Sequence, residues 1–222
     1  MNTNTLHPDE RVGEIFSRDK LLTASSRASV AVQNIASRIH VGMQEEKARA
    51  IGKQTLIELG MEREWHPTLI RFGANTVKTF KEPSEKNTVL RDNDIFFVDI
   101  GPVFDGHEGD SGATFTVGND AEMIACAKAA ETLFHHVKQH WLSEKVTGKA
   151  LYRYAEQAAR DMDWQLNLGV PGHRIGDFPH TIYKADRLAN LDFTPASGLW
   201  ILEIQIRHPT KPFGAFFEDL LV

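Results

Sequence analysis

Ile95-Phe-Phe-Val-Asp-Ile100 is an apolar run with one acid inside it, and Asp110 follows at the end of the glycine-rich segment Gly106-His-Glu-Gly-Asp110. The run is short, aromatic and β-branched, which marks a strand. Ala113-Thr-Phe-Thr-Val117 alternates as a second strand, so 95–117 reads as a hairpin with a widened loop. Such a hairpin would bring Asp99 and Asp110 together. A lone carboxylate buried and ionised in a strand is costly, so Asp99 asks for a cationic partner.

The same oddity recurs further along. Glu203 lies between Leu202 and Ile204 in Trp200-Ile-Leu-Glu-Ile-Gln-Ile206, and Glu218 follows Phe216-Phe217 in the run 215–222. Side chains alternate across a strand, so Glu203, Gln205 and Arg207 share one face, and Phe216, Glu218 and Leu220 share another. Each acid can thus point into a common pocket. His173, in Gly172-His-Arg-Ile-Gly176, offers one imidazole to it. Four carboxylates and a neutral imidazole leave a charge of about −4, which two divalent cations would neutralise. Hard oxygen ligands with one imidazole suit Mn(II) first, with Co(II), Fe(II) or Zn(II) as alternatives. Taken singly, each acid is an ordinary edge-strand residue and His173 an ordinary turn histidine. His107, Glu108 and Asp105 read as solvated loop residues, and His66, between Trp65 and Pro67, as ordinary packing.

Around these strands, helices are expected over 21–39, 44–59, 120–142 and 147–162. In the last, Thr147 would cap, and Leu151, Tyr154, Ala158 and Met162 would point inward. Helices and strands mix without βαβ alternation, so the class is α+β. The expected organisation is a flexible N-terminal segment, 1–18, and a single domain, 19–222. With 222 residues, 41% hydrophobic and a net charge of −5, the chain can bury a core but lacks the basic surplus of a nucleic-acid binder. No run is long enough to span a membrane, and residues 1–15 do not resemble a secretory leader. The single Cys126 excludes an internal disulfide and a cysteine-based zinc site, so a cytoplasmic setting is the default.

The pieces Val98-Asp-Ile-Gly101, Gly106 with Asp110 and Thr114-Phe115, Gly172-His173 with Ile175-Gly176 and His180, Glu203, and Glu218-Asp219 occur in that order. Together they resemble the pita-bread metallopeptidase family: methionine aminopeptidase, aminopeptidase P, prolidase and creatinase. The resemblance implies a curved antiparallel sheet with helices on its outer face. It implies that Asp99 chelates one ion, that Asp110 and Glu218 bridge two, and that His173 and Glu203 complete the second ion's shell. Glu203 would also shuttle a proton, and His180 would steady the substrate carbonyl. The family usually has a substrate-contacting histidine where Gly73-Ala-Asn75 places Phe80 here.

The implied function is a dinuclear hydrolase, an aminopeptidase or Xaa-Pro-type peptidase cleaving a C–N bond through a metal-bridging hydroxide. The alternatives are a pita-bread enzyme acting on a small amino-acid-derived amide or amidine, and a non-catalytic binding module of the same fold. The implied partner is a small peptide or amino-acid-derived substrate, with no nucleic acid or membrane, and a homodimer is left open.

Overall fold

The apolar sequence around Asp99 forms the 11-residue strand β2 (Asp94–Phe104) of a sheet in the computed structural model, which describes residues 7–222. Preceding it are α1 (Arg18–Ser37), α2 (Glu45–Glu58) and β1 (Arg63–Phe72). After it come β3 (His107–Glu108), β4 (Ser111–Val117), α3 (Ala121–Glu144) and α4 (Gly148–Asp161). The two-residue strands β5 (Gln165–Leu166) and β6 (His173–Arg174), then β7 (Trp200–Arg207) and β8 (Gly214–Leu220), complete the chain. The strands form one antiparallel sheet in the order β1-β2-β4-β8-β7-β5, with β3 on β2 and β6 on β7.

Register positions the acids. Asp99 pairs with Gly112, Gly112 with Glu218, and Glu218 with Glu203, so one row across the sheet holds three of them. Period-two alternation sends their neighbours to the opposite face. There Val98 and Ile100 pack with Ala28, Val32 and Ile35 of α1 and with Leu56 of α2. Leu202, Ile204 and Ile206 pack with Phe134, Val137 and Trp141 of α3 and with Leu151 of α4. Each such buried aliphatic or aromatic side chain stabilises the fold by about 1.5–3 kcal/mol. The Ala and Ser residues that dilute the apolar stripe of α1 have a use: Ala24, Ser25, Ala28 and Ala31 are buried, and the small side chains let the helix lie close to the hairpin.

One expectation is corrected. In α4 the buried face is Leu151, Tyr152, Ala155 and Ala159, while Tyr154 is exposed and stacks on His140. The rotation follows from Tyr152, whose hydroxyl donates to the Glu203 carbonyl at 3.1 Å and accepts from the Glu203 N–H at 3.3 Å. Of the segment expected to be flexible, residues 1–6 lie outside the described residues. From His7 onward it is fastened to the domain. Glu10 is buried and accepts from Trp200 Nε1 at 2.9 Å, the Arg174 guanidinium donates to the Asp9 and Arg11 carbonyls, and Gly13 N–H donates to Asp177. Glu10, buried in this stretch, is thereby satisfied by protein partners.

Candidate metal centre

Strands β2, β7 and β8 deliver Asp99, Glu203 and Glu218 to one wall of a cavity of about 380 Å³, and β6 adds His173. Asp99, His173, Glu203, Glu218 and His180 line it, with Asp110 fully buried just behind. Gly172 adopts a φ of +66°, and a Cβ there would lie 2.7 Å from the Ile201 carbonyl oxygen and from the Tyr152 hydroxyl. A glycine is therefore needed to turn the chain so that His173 faces the acids. Gly172 N–H also donates to Glu203 Oε2 at 2.7 Å, holding that carboxylate.

Asp110 is the hub. Its Oδ2 lies 3.0 Å from His173 Nε2 and its Oδ1 3.3 Å from His66 Nε2, which is 3.5 Å from Asp99 Oδ1. Two clusters have ligand atoms within 4.8 Å of one another: His66, Asp99 and Asp110, and Asp110, His173 and Glu218. Asp110 belongs to both. Asp110 Oδ2 and Glu218 Oε1 are buried and accept no well-formed hydrogen bond. Both imidazoles place Nδ1 against a backbone carbonyl, His66 on Pro67 at 3.0 Å and His173 on Arg174 at 2.8 Å. With the proton there, Nε2 is a lone pair facing a carboxylate lone pair, and only a proton or a cation between them relieves the contact. These donors fit a pair of divalent ions.

The electrostatics agree. Burial pushes Asp99 up to about 6, opposed by the charge of His66 and reinforced by that of Asp110. Burial also works against ionisation of Asp110, but contact with His173 and His66 overrides it and pulls the group down to about 2. Glu218 is held well above the carboxylate range by burial and by the charges of Asp110, Asp99 and Glu203. Glu203 is raised by burial, against the opposing charge of His173. Burial would lower both imidazoles, yet Asp99 and Asp110 raise His66 to about 9, and Asp110 raises His173 to about 9. Burial and mutual repulsion thus leave these acids in need of positive charge, which divalent ions would supply in place of protons.

Two residues expected to be solvated or inert lie against these side chains. Glu108 is 1% exposed. Its Oε2 lies 2.6 Å from His180 Nδ1 and accepts from Gly176 N–H, and its Oε1 accepts from His180 N–H at 3.0 Å. The reason is long-range: β3 pairs with β2, and the 176–178 backbone closes over it. His107 is buried in the same way, accepting from Ser17 N–H at 2.8 Å, while Asp105 is exposed as expected. His66 is the second. Leu69 pairs with Asp99 and His66 with Gly101, so three residues of β1 span two of β2. This bulge, which contains Pro67, turns His66 to the acidic face, where simple alternation from Leu69 would put it on the other side. Trp65, in T-shaped contact with His66, His173 and His180, walls the cavity, and Phe80 stands at its rim, 56% exposed. A larger cleft of about 550 Å³, lined by Arg91, Asp94, Asp120 and Lys211 among others, shares none of these residues.

The sequence model of the metallopeptidase family M24 matches residues 19–222. A methionine aminopeptidase of Archaeoglobus fulgidus is 24% identical over 171 residues, 75% of this chain and 57% of that protein. The structure of the X-Pro aminopeptidase from Thermotoga maritima aligns with a TM-score of 0.69 at 20% identity, covering 90% of this chain and 56% of that one. That of the methionine aminopeptidase from the same organism aligns at 0.70 with 14% identity, over 94% and 93% of the two chains. The chain spans about half the length of the curated relatives it matches. Among the described residues, no helix is long and apolar enough to cross a membrane.

Proposed function

The chain belongs to metallopeptidase family M24 and has the pita-bread fold, and on that premise we propose that it is a dinuclear metal-dependent hydrolase cleaving a C–N bond beside the N-terminal residue of a small peptide. The observation that supports this most is Asp110, a fully buried carboxylate shared by two ligand clusters, each with an imidazole. An anion so placed, with an oxygen that accepts no well-formed hydrogen bond, has little value as a purely structural residue. Asp99, His173, Glu203 and Glu218 are the other residues that would hold the ions. Divalent cations bound there would supply Lewis acidity and acidify a water. The oxygen-rich set suits Mn(II), with Co(II), Fe(II) and Zn(II) as alternatives. A cytoplasmic setting is in keeping with the unpaired, buried Cys126.

Glu203 is the residue placed to take a proton and return it to the leaving nitrogen. Its Oε2 is fixed by Gly172 and its backbone by Tyr152, so the carboxylate is held in place. His180 has Nδ1 engaged by Glu108, which turns Nε2 toward substrate; a proton there, balanced by Glu108, would donate to the carbonyl oxygen as charge develops on it. Glu108→Ala is accordingly expected to lower kcat/KM by about 10–100-fold, the usual cost of losing a group that orients a functional histidine. Metal content, measured by atomic emission, should stay unchanged. A loss of metal together with activity would count against a positioning role.

Phe80 supports a second reading. It stands at the cavity rim where the family resemblance places a histidine. The metals would then serve a small amino-acid-derived amide or amidine instead. A panel of Met-Xaa and Xaa-Pro peptides against small amides and amidines, assayed with Mn(II)-, Co(II)- or Zn(II)-loaded protein, separates the two. Peptide turnover supports the first reading and amide or amidine turnover alone the second. No turnover of any substrate by metal-replete protein contradicts both and points to the binding module.

A further inference from the structure

We propose that His66 is a ligand of the Asp99–Asp110 ion, so that each of the two ions carries one imidazole. The inference rests on the metal-centre reading above and adds a nitrogen donor to the five side chains named there. Its first support is the equivalence of His66 and His173. Each ring gives Nδ1 to the carbonyl of the next residue and turns Nε2 to one oxygen of the same carboxylate, His66 to Asp110 Oδ1 and His173 to Asp110 Oδ2. Fixing one ring nitrogen on a backbone carbonyl is how proteins set the tautomer of a metal-binding histidine. The second support is that the ligand atoms of His66, Asp99 and Asp110 lie within 4.8 Å of one another, close enough to face one cation.

The third support is the backbone that delivers the ring. A bulge in β1 turns His66 inward, and Gly101 opposite leaves room for it. A Cβ on Gly101 would sit 2.1 Å from His66 Cδ2. Trp65 closes the other side, its centroid 4.4 Å from the His66 ring at 83°, and is itself pinned by donation from Nε1 to the Gly109 carbonyl at 2.9 Å. A ring boxed in this way is preorganised, as a ligand must be. Nitrogen on both ions moves the preference from Mn(II) toward Co(II), Fe(II) and Zn(II).

Co(II) titration of the full chain, followed by proton NMR of the loaded protein, tests this. A cobalt-bound imidazole with a protonated Nδ1 gives a strongly shifted, exchangeable N–H resonance. Wild-type protein with two equivalents of Co(II) is expected to show two such resonances, one of which disappears in His66→Gln. That variant should also bind one of its two ions at least about 10-fold more weakly by calorimetry. Two bound ions with a single shifted N–H in the wild type, or two resonances that both survive His66→Gln, overturn the proposal and leave the metal centre standing. The wild-type count decides even if the variant fails to fold. No Co(II) binding at all overturns the metal centre and this inference with it.

Discussion

Asp110→Asn is expected to abolish tight binding of both metal ions and to lower kcat/KM by about 10³-fold or more, which is ~4 kcal/mol of transition-state stabilisation. The substitution keeps the shape of the side chain and removes its charge. Asp110 is the one carboxylate common to both ligand clusters, and both imidazoles point at it. Without it each cluster loses an anionic donor, and no remaining group bridges from the His66 side to the His173 side in the same way. Metal content after loading and dialysis, together with peptide turnover, checks the prediction. A variant that retains two equivalents of metal would show that Asp110 is a structural anion rather than the bridge.

Glu203→Gln is expected to lower kcat by about 10²–10⁴-fold, the range for loss of a general acid–base group, with a much smaller change in KM. The amide oxygen can still accept from Gly172 N–H, and the Tyr152 hydroxyl holds only the backbone, so the strand should keep its shape. Glu203 lies outside both close ligand clusters among the described residues, so its loss should weaken metal binding less than the loss of Asp110 does. Steady-state kinetics on metal-replete variant protein give the kcat and KM split. A rise in KM with kcat intact would assign Glu203 to substrate binding and not to proton transfer.

Much of this arrangement could be read from one-dimensional pattern because strands alternate with a period of two. An acid flanked by Val98 and Ile100, or by Leu202 and Ile204, has its neighbours in the helix-covered core and so must itself face the other way. The pairing of Glu203 with Glu218 then follows from two adjacent antiparallel strands. His66 was hidden because a bulge breaks that period, and Trp65-His66-Pro67 reads equally well as ordinary packing. Pro67, which cannot donate to a ladder, is the one residue that hints at it. Glu108 was hidden for a different reason. Glycines and acids surround it in the sequence, and only contact with the distant 176–180 segment makes it buried and binds it to His180. Glu10 and Arg174 illustrate the same limit: both look solvated in sequence and are buried against groups far along the chain.

Diffraction from crystals of the protein grown with Mn(II), recorded at a wavelength where manganese scatters anomalously, tests the central claim most directly. Two anomalous peaks roughly 3.5–4 Å apart, one on either side of the Asp110 carboxylate, are predicted. An empty cavity under metal-replete conditions, or a lone peak on the surface away from Asp99, Asp110 and Glu218, would contradict it.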